Sequence, residues 1–195
     1  MLLGLYLVGL GLAMMIHADL GVPPWDVLSQ GIQVQKGWSF GASAVLTSVF
    51  VLILWIPVKQ QPGIGTFINA LLIGPFADLN EPLMPDLDSF PAKLVTLVLG
   101  VIVFATGSGL YISQNLGAGP RDGLMVGLTR ITGLPFWIIR TLGESVVLIT
   151  GWLLGGTVGI GTALFAVSIG YLMQYFMKLF GFDPKSTENG VKLSI

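Results

Sequence analysis

The apolar residues of the chain are gathered into six long segments, which clusters of proline, glycine and charged residues separate. These segments occupy residues 1–16, 40–56, 63–76, 92–112, 135–154 and 159–180. A helix needs about 20 apolar residues to cross a bilayer, and the segments reach or approach that length. The pattern therefore predicts an all-α membrane protein with six transmembrane helices.

Two of the intervening segments are too long and too regular in composition to be simple turns. Residues 24–36 and residues 120–132 are each 13 residues long, and the first carries polar side chains such as Ser29 and Gln33. A helix of that length does not cross a bilayer by itself. We therefore expect two short re-entrant or interfacial helices beside the six spans.

The second half of the chain repeats the first half with an offset of 96 residues and without a gap. The matched positions are glycines, prolines and aspartates, among them Gly21 and Gly117, Pro24 and Pro120, and Asp26 and Asp122. The sequence GIGT at residues 63–66 recurs at residues 159–162. We predict one membrane domain over residues 1–195, with a first repeat at 1–80, a second repeat at 97–176 and a short cytoplasmic tail at 183–195.

An odd number of spans in each half predicts a 3+3 inverted-topology repeat, because the second half must then enter the bilayer in the opposite sense. We name the side of the N-terminus side A and the opposite side B. Side A receives most of the basic residues: Lys59, Arg121, Arg130, Arg140, Lys178, Lys185 and Lys192. Since cytoplasmic loops are rich in lysine and arginine, we expect side A, with both termini, to be cytoplasmic. A signal peptide is disfavoured because the repeat requires the first helix.

Composition supports a location in the membrane and excludes several kinds of partner. The chain is 53% hydrophobic and 10% charged, with a mean hydropathy of +0.85, so its surroundings are the lipid bilayer. It has no cysteine and one histidine, His17, so we expect no metal and no cofactor. Without a basic stripe, nucleic acid is not an expected partner. The sequence leaves open whether the protein forms a homo-oligomer.

The first candidate site is the pattern Asp/Asn-Leu-Gly-x-x-Pro-x-Asp, which runs from Asp19 to Asp26 and again from Asn115 to Asp122. The glycine ends one helix, the proline begins another, and the last aspartate lies in its first turn. One interpretation is a helix break with a capping aspartate. The other is that both breaks converge on a cavity that holds a substrate or a coupling ion. Arg121, where the first copy has Trp25, adds a cation beside Asp122.

The second candidate is a pair of charged residues in the fifth apolar segment, Arg140 and Glu144, spaced one helical turn apart. A carboxylate near the bilayer midplane needs compensation, which a buried ion pair with Arg140 would provide. Alternatively, Glu144 belongs to a proton or substrate relay. The hydroxyls of Thr66 and Thr162, in the two GIGT segments, are further candidates, with helix packing as the alternative.

These motifs resemble the YczE/YyaS/YitT group of bacterial multi-pass membrane proteins, most closely the YczE type. The resemblance rests on ADLGVPPWDVL at residues 18–28, on NLGAGPRDGLM at 115–125, on Arg140 and Glu144 followed by GWLLGG, and on both GIGT segments. It departs from the group at Pro23, where glycine is expected, and in the missing basic N-terminus. It implies a location in the bacterial cytoplasmic membrane and supplies no substrate.

The leading hypothesis is a small secondary transporter, possibly proton-coupled, of an unidentified small-molecule solute. In it, Arg121 and the helix N-termini face an anionic group, while Glu144 or an aspartate carries a proton. A channel for a small solute or ion is the first alternative, and a non-transporting membrane partner or assembly factor is the second. An enzyme is the least expected class, because the sequence shows neither a nucleophile and base pair nor a metal motif.

Overall fold

The computed structural model describes residues 1–114, 116–117, 119–134 and 136–181, without the side chains of residues 136, 137, 140 and 174. Within these ranges the fold is all-α, as predicted. Its eight helices are α1 (Leu2–Ala18), α2 (Pro24–Lys36), α3 (Phe40–Val58), α4 (Ile64–Asn80), α5 (Phe90–Ile112), α6 (Pro120–Thr132), α7 (Phe136–Leu153) and α8 (Ile160–Leu179), and a 3-10 turn at Glu81–Leu83 follows α4. The predicted tail at 183–195 lies outside the described residues.

Three of these helices, α3, α5 and α8, are long and apolar enough to cross a membrane. Helix α1 and residues 141–153 of α7 are apolar but shorter. Large apolar side chains are exposed along the outside of the bundle, including Ile56, Trp152 and Val167. Such an exposed apolar surface suits lipid rather than water. The structure thus has several candidate spans, three of which have full length.

The two short helices form where the sequence predicts them, and each begins at a proline. Helix α2 begins at Pro24 and is closed by Gly37 in the left-handed conformation, with φ 66°. Helix α6 begins at Pro120 and is closed by Gly133, with φ 67°. Proline suits a first helical position because it lacks the N–H that would be unpaired there, and glycine adopts a left-handed cap without strain.

The end of α1 differs from the prediction that Gly21 caps it. The helix ends at Ala18, and Asp19 takes the left-handed position with φ 52°. Its backbone N–H donates to the carbonyl of Ile16 at 3.0 Å. Aspartate tolerates this conformation better than most side chains do. Gly21, with φ 103°, instead shapes the loop beyond the helix.

Helices α1 and α5 form the closely packed centre of the bundle. Gly4 faces Gly107, and Gly11 faces Gly100, so that the backbones of the two helices touch. A Cβ added at Gly107 would lie 2.5 Å from the carbonyl oxygen of Gly4. Helices approach this closely only where small residues line the contact, which is the usual basis of helix packing in membranes.

The remaining helices are arranged around this central pair. Helix α4 packs against α1, and α8 packs against α5. The short helix α2 packs against α7 and α3, and the short helix α6 packs against α3 and α7. The largest hydrophobic cluster lies between α1, α5 and α8 and includes Leu12, Met15, Leu97, Phe165 and Ile169. Each short helix is therefore held by helices of both halves.

The central glycine contact predicts a contrast between two alanine variants. Gly107→Ala places a methyl group against the backbone of α1, and overpacking of this kind costs about 1–3 kcal/mol. Gly170→Ala, in α8, meets nothing within 4 Å. We expect the first variant alone to lower the apparent melting temperature of the detergent-purified protein. The melting temperature is measured by size-exclusion chromatography of heated samples. Equal melting temperatures for the two variants would contradict the close packing of α1 and α5.

Candidate functional site

An interior cavity of about 120 Å³ lies where the two short helices begin, and all eight helices contribute to its lining. Its charged and polar lining residues are Asp26, Ser48, Asn69, Ser108, Tyr111, Arg121, Asp122 and Glu144. Apolar residues such as Phe104, Phe165 and Ile169 form much of the remaining wall. Four of the predicted site residues, from α2, α6 and α7, therefore meet at one place.

An ion pair between Asp26 and Arg121 lies in the wall of the cavity. One guanidinium nitrogen donates to Asp26 Oδ1 at 2.5 Å and the other donates to Oδ2 at 3.1 Å. The Asp26 side chain is 1% exposed, whereas that of Arg121 is 28% exposed. Two parallel hydrogen bonds of this kind fix orientation as well as charge. Both residues lie in the first turn of their helices, so the pair joins the N-terminus of α2 to that of α6.

The electrostatics of these two helix ends differ, which explains why the pair is needed. Asp26 is favoured at the positive end of α2, but Arg121 places a cation at the positive end of α6. The carboxylate offsets that repulsion. The guanidinium also lies over the Trp25 ring, 5.8 Å from its centroid. The start of α6 is further fixed by the Trp55 indole, whose Nε1 donates to the Pro120 carbonyl at 2.8 Å.

The second part of the site surrounds Gly119, just before α6. A Cβ at this position would lie 3.2 Å from the Tyr111 hydroxyl, 3.5 Å from Asp122 Oδ2 and 3.6 Å from Asn69 Nδ2. The Tyr111 hydroxyl and the Asn69 side chain share a hydrogen bond. Three polar groups from α4, α5 and α6 thus surround a position that has no side chain. The corresponding residue in the first repeat is Pro23, which fills the equivalent position.

Glu144 lines the cavity from α7 and is partly exposed. The predicted pairing of Glu144 with Arg140 stays a prediction, because the Arg140 side chain lies outside the described part of the chain. Asn115 also lies outside the described residues. Neither Asp19 nor the two GIGT threonines line this cavity. Asp19 instead borders a separate surface groove that includes His17 and Glu81.

The threonines of the GIGT segments serve as helix caps. Thr66 Oγ1 accepts from the backbone N–H of Gly63 at 3.2 Å, and Thr162 Oγ1 accepts from that of Gly159 at 3.3 Å. Each satisfies a backbone donor at the start of its helix. This placement agrees with the structural alternative considered for them.

The GIGT segments make a second contact that the sequence did not predict. In α4, the Gly65 N–H donates to the Leu116 carbonyl at 2.8 Å; in α8, the Gly161 N–H donates to the Leu20 carbonyl at 2.7 Å. Each GIGT segment is therefore docked on the helix break of the other half of the chain. Tyr111 and Ser108 were also missed as lining residues, because on the sequence they read as ordinary members of an apolar helix.

The cavity can bind and neutralise charge, since it brings carboxylates, a guanidinium, amide and hydroxyl groups into an apolar surrounding. The described residues contain no group of three His, Cys, Asp or Glu side chains that could hold a metal ion. A buried site of this kind among long apolar helices defines the class of protein: a multi-pass α-helical membrane protein with an ionisable interior.

The chain belongs to a family of unknown function, DUF6198, whose pattern matches residues 1–178. It is 37% identical over 179 residues to an uncharacterised protein of Haemophilus influenzae, covering 92% of this chain and 82% of that protein. It is 32% identical over 174 residues to the uncharacterised membrane protein YczE of Bacillus subtilis, covering 88% of this chain and 81% of YczE. The protein YyaS of the same organism is 27% identical over 181 residues, which cover 91% of this chain and 90% of YyaS.

These similarities confirm the resemblance to YczE and YyaS that the motifs indicated, and they extend over most of the chain. No solved structure matches the chain.

The ion pair predicts non-additive effects of substitution. Asp26→Asn and Arg121→Gln each leave a charged partner without its counter-charge, so each should lower stability, whereas the double variant removes both charges together. We expect a coupling free energy of about 0.5–3 kcal/mol between the two positions, from denaturation in detergent. Asp19→Asn is the control, because asparagine suits the left-handed position equally well. Additive effects within about 0.3 kcal/mol would contradict a direct pair.

Proposed function

We propose that the protein is a small secondary transporter of the bacterial cytoplasmic membrane and that the cavity between the two short helices is its solute site. The observation that carries the proposal is the meeting of the α2 and α6 N-termini in the cavity, joined by Asp26 and Arg121. Transporters with inverted repeats bind solutes at discontinuous helices of this kind, because free helix ends supply charge and hydrogen bonds inside the membrane.

An inverted 3+3 repeat with six spans is part of this proposal, and the helix boundaries support it. Moving α2 (Pro24–Lys36) by 96 residues gives the bounds of α6 (Pro120–Thr132), and the starts of α4 and α8 differ by the same number. The packing partners correspond as well, since α1 with α4 matches α5 with α8, and α2 with α7 matches α6 with α3. The glycine contacts at the centre follow the same offset, since the contact of Gly4 with Gly107 corresponds to that of Gly100 with Gly11.

The cavity supports a small solute rather than a large one. Its volume of about 120 Å³ is below the roughly 300–1,000 Å³ typical of sites for drug-sized ligands. Its lining includes the polar groups of Asp122, Tyr111 and Asn69 beside Gly119, and the contacting rings of Phe104 and Phe165. In this proposal a solute with a polar group and a small apolar part contacts both sets of residues, and Glu144 or Asp122 exchanges a proton with it or with water.

The ion pair with Asp26 restricts how Arg121 can bind an anionic group. Two of the five guanidinium N–H groups donate to Asp26, so an anionic group that binds Arg121 uses the remaining N–H groups or displaces that carboxylate. Protonation of Asp26 would release the guanidinium. This gives a physical route to proton coupling, in which the proton and an anionic group act at opposite members of one pair.

Solute binding is the first test of this proposal. A thermal-shift screen of the purified protein against amino acids, organic acids, nucleosides and metal ions should find a compound that raises the melting temperature, because binding to the folded state alone stabilises it. The stabilisation should change with pH and be absent in Asp122→Asn and Glu144→Gln. The control is Asp88→Asn, in the connection before α5, which should keep the full shift.

Flux in proteoliposomes separates the alternatives. A transporter gives saturable uptake driven by a pH gradient, whereas a channel gives conductive flux that does not saturate in this way. A protein that neither binds nor moves any solute, and whose two carboxylate variants only melt earlier, would contradict transport and favour the non-transporting partner.

The orientation in the membrane is a separate proposal, with both termini cytoplasmic. We expect a green fluorescent protein fused after Ile195 to fluoresce and alkaline phosphatase inserted at Asp88 to be active, because three spans should separate these positions. If α6 also crossed the bilayer, four spans would separate them and both reporters would lie on the same side. That result would exclude the re-entrant arrangement, whereas exchange of the two activities would only reverse the orientation.

A further inference from the structure

Gly119, just before α6, is a glycine that the backbone conformation does not require. Its φ of −59° and ψ of 155° lie in a region that any residue adopts. The corresponding residue before α2, Pro23, has nearly the same angles, with φ −55° and ψ 150°. Alanine at such a position restricts the unfolded chain, so stability alone favours it over glycine. What Gly119 provides is the space that its missing side chain leaves.

That space is a polar hollow in the wall of the cavity. A Cβ atom at position 119 would lie 3.2 Å from the Tyr111 hydroxyl, 3.5 Å from Asp122 Oδ2 and 3.6 Å from Asn69 Nδ2. These separations are only slightly longer than the roughly 2.7–3.2 Å of hydrogen bonds to nitrogen. Tyr111 and Asn69 are each 8% exposed, so protein surrounds the hollow on their sides. A polar atom of a bound solute near this point therefore meets all three groups.

The positions related to the hollow by the offset of 96 residues are apolar. Three residues of the hollow have apolar counterparts: Met15 for Tyr111, Phe165 for Asn69 and Pro23 for Gly119. Met15 and Phe165 belong to the largest hydrophobic cluster. The three differences act in the same direction, since each makes the surroundings of α6 more polar or more open. The second copy of the motif thus has a polar hollow where the corresponding positions of the first copy carry apolar side chains.

The charge beside the hollow favours a cation. The nearest charged atom to position 119 is the carboxylate oxygen of Asp122, at 3.5 Å, whereas the Arg121 guanidinium donates to Asp26. An anionic group so close to a carboxylate in apolar surroundings is strongly disfavoured. A carboxylate and the Tyr111 hydroxyl oxygen each accept more than one hydrogen bond, and an ammonium group donates three. The hollow therefore matches an ammonium group in both charge and hydrogen bonding.

We propose that the hollow at Gly119 holds the ammonium group of a small organic amine, with Asp122 and Tyr111 as its acceptors. The proposal rests on the proposed function and adds the chemical class of its solute. Ser108 and Phe104 lie one and two turns from Tyr111 on the same face of α5, and both line the cavity. Two turns extend roughly 10 Å along a helix, so the carbon chain of the amine lies along this face toward the Phe104 ring.

Three four-carbon compounds test the class of solute. n-Butylamine, 1-butanol and butyrate have similar carbon chains and differ in the group that would enter the hollow. Each is titrated at neutral pH into the purified protein in lipid nanodiscs, and binding is measured by isothermal titration calorimetry. We expect butylamine alone to bind, because an alkylamine is protonated at this pH, as lysine is. Preferred binding of butanol or butyrate, or binding of none of the three, would overturn the proposed class.

Gly119→Ala tests the position, because its methyl group fills the hollow while the backbone angles suit alanine. We expect about a tenfold or greater loss of affinity for butylamine, since losing one hydrogen bond to a charged group has an effect of that order. Gly170→Ala is the matched control, because the same methyl group meets nothing within 4 Å there. Butylamine binding that is equal in the two variants would overturn the assignment of the hollow.

Two further variants keep the test valid if Gly119→Ala does not fold. Tyr111→Phe and Asp122→Asn each remove one proposed acceptor with little change in size, and both should weaken butylamine binding. Unchanged affinity in both would overturn the proposal.

Uptake into proteoliposomes separates this inference from the transport proposal. Amine binding that depends on Gly119, without any uptake, would leave the ammonium site standing and reject the transporter. Saturable uptake of an acid or an alcohol that amines do not inhibit would leave the transporter standing and reject the ammonium site.

Discussion

The ion pair between Asp26 and Arg121 is the constraint on which the arrangement of this bundle depends. A carboxylate that is 1% exposed inside a membrane protein needs a counter-charge, and the arginine that supplies it lies 95 residues away on the other short helix. The pair can form only if the first turns of both helices lie close together. Removing one member of a buried pair is more costly than removing both, so the contact specifies the geometry even if it adds little net stability.

Close backbone contact supplies the rest of the constraint. Glycines let α1 touch α5 at the centre, and the backbone bonds from Gly65 to Leu116 and from Gly161 to Leu20 attach each GIGT segment to the opposite half. A lipid-surrounded bundle gains little from burying apolar side chains, because the lipid is equally apolar. Its specificity must come from such short-range packing and from hydrogen bonds. Each half of the chain therefore depends on contacts with the other half for its packing and its backbone hydrogen bonds.

The sequence predicted features that depend on local chemistry and missed those that depend on contacts between the halves. Residues 24–36 bounded α2 correctly, because the preference of Pro24 for a first helical position acts within one turn, whereas the glycine cap expected at Gly21 was wrong. Local spacing places Arg121 beside Asp122 but does not identify Asp26 as its partner, because that contact joins residues 95 positions apart. Nothing in the sequence marked Tyr111 as a cavity residue, because it lies in an apolar helix. The sequence left open a site role or helix packing for Thr66, and the structure adds a hydrogen bond from the Gly63 N–H to its hydroxyl.

The differences between the two copies are as informative as the identities. Two identical halves would place the same residue at positions 25 and 121, so neither aspartate would have a distinct environment. With tryptophan in one copy and arginine in the other, Asp26 is bound into the ion pair, while Asp122 lies beside Gly119 near Tyr111. The aspartate of the first copy thus joins the short helices, and the aspartate of the second copy lines the cavity beside Gly119. The difference between the two copies of the motif at positions 25 and 121 therefore gives the two aspartates different surroundings in one cavity.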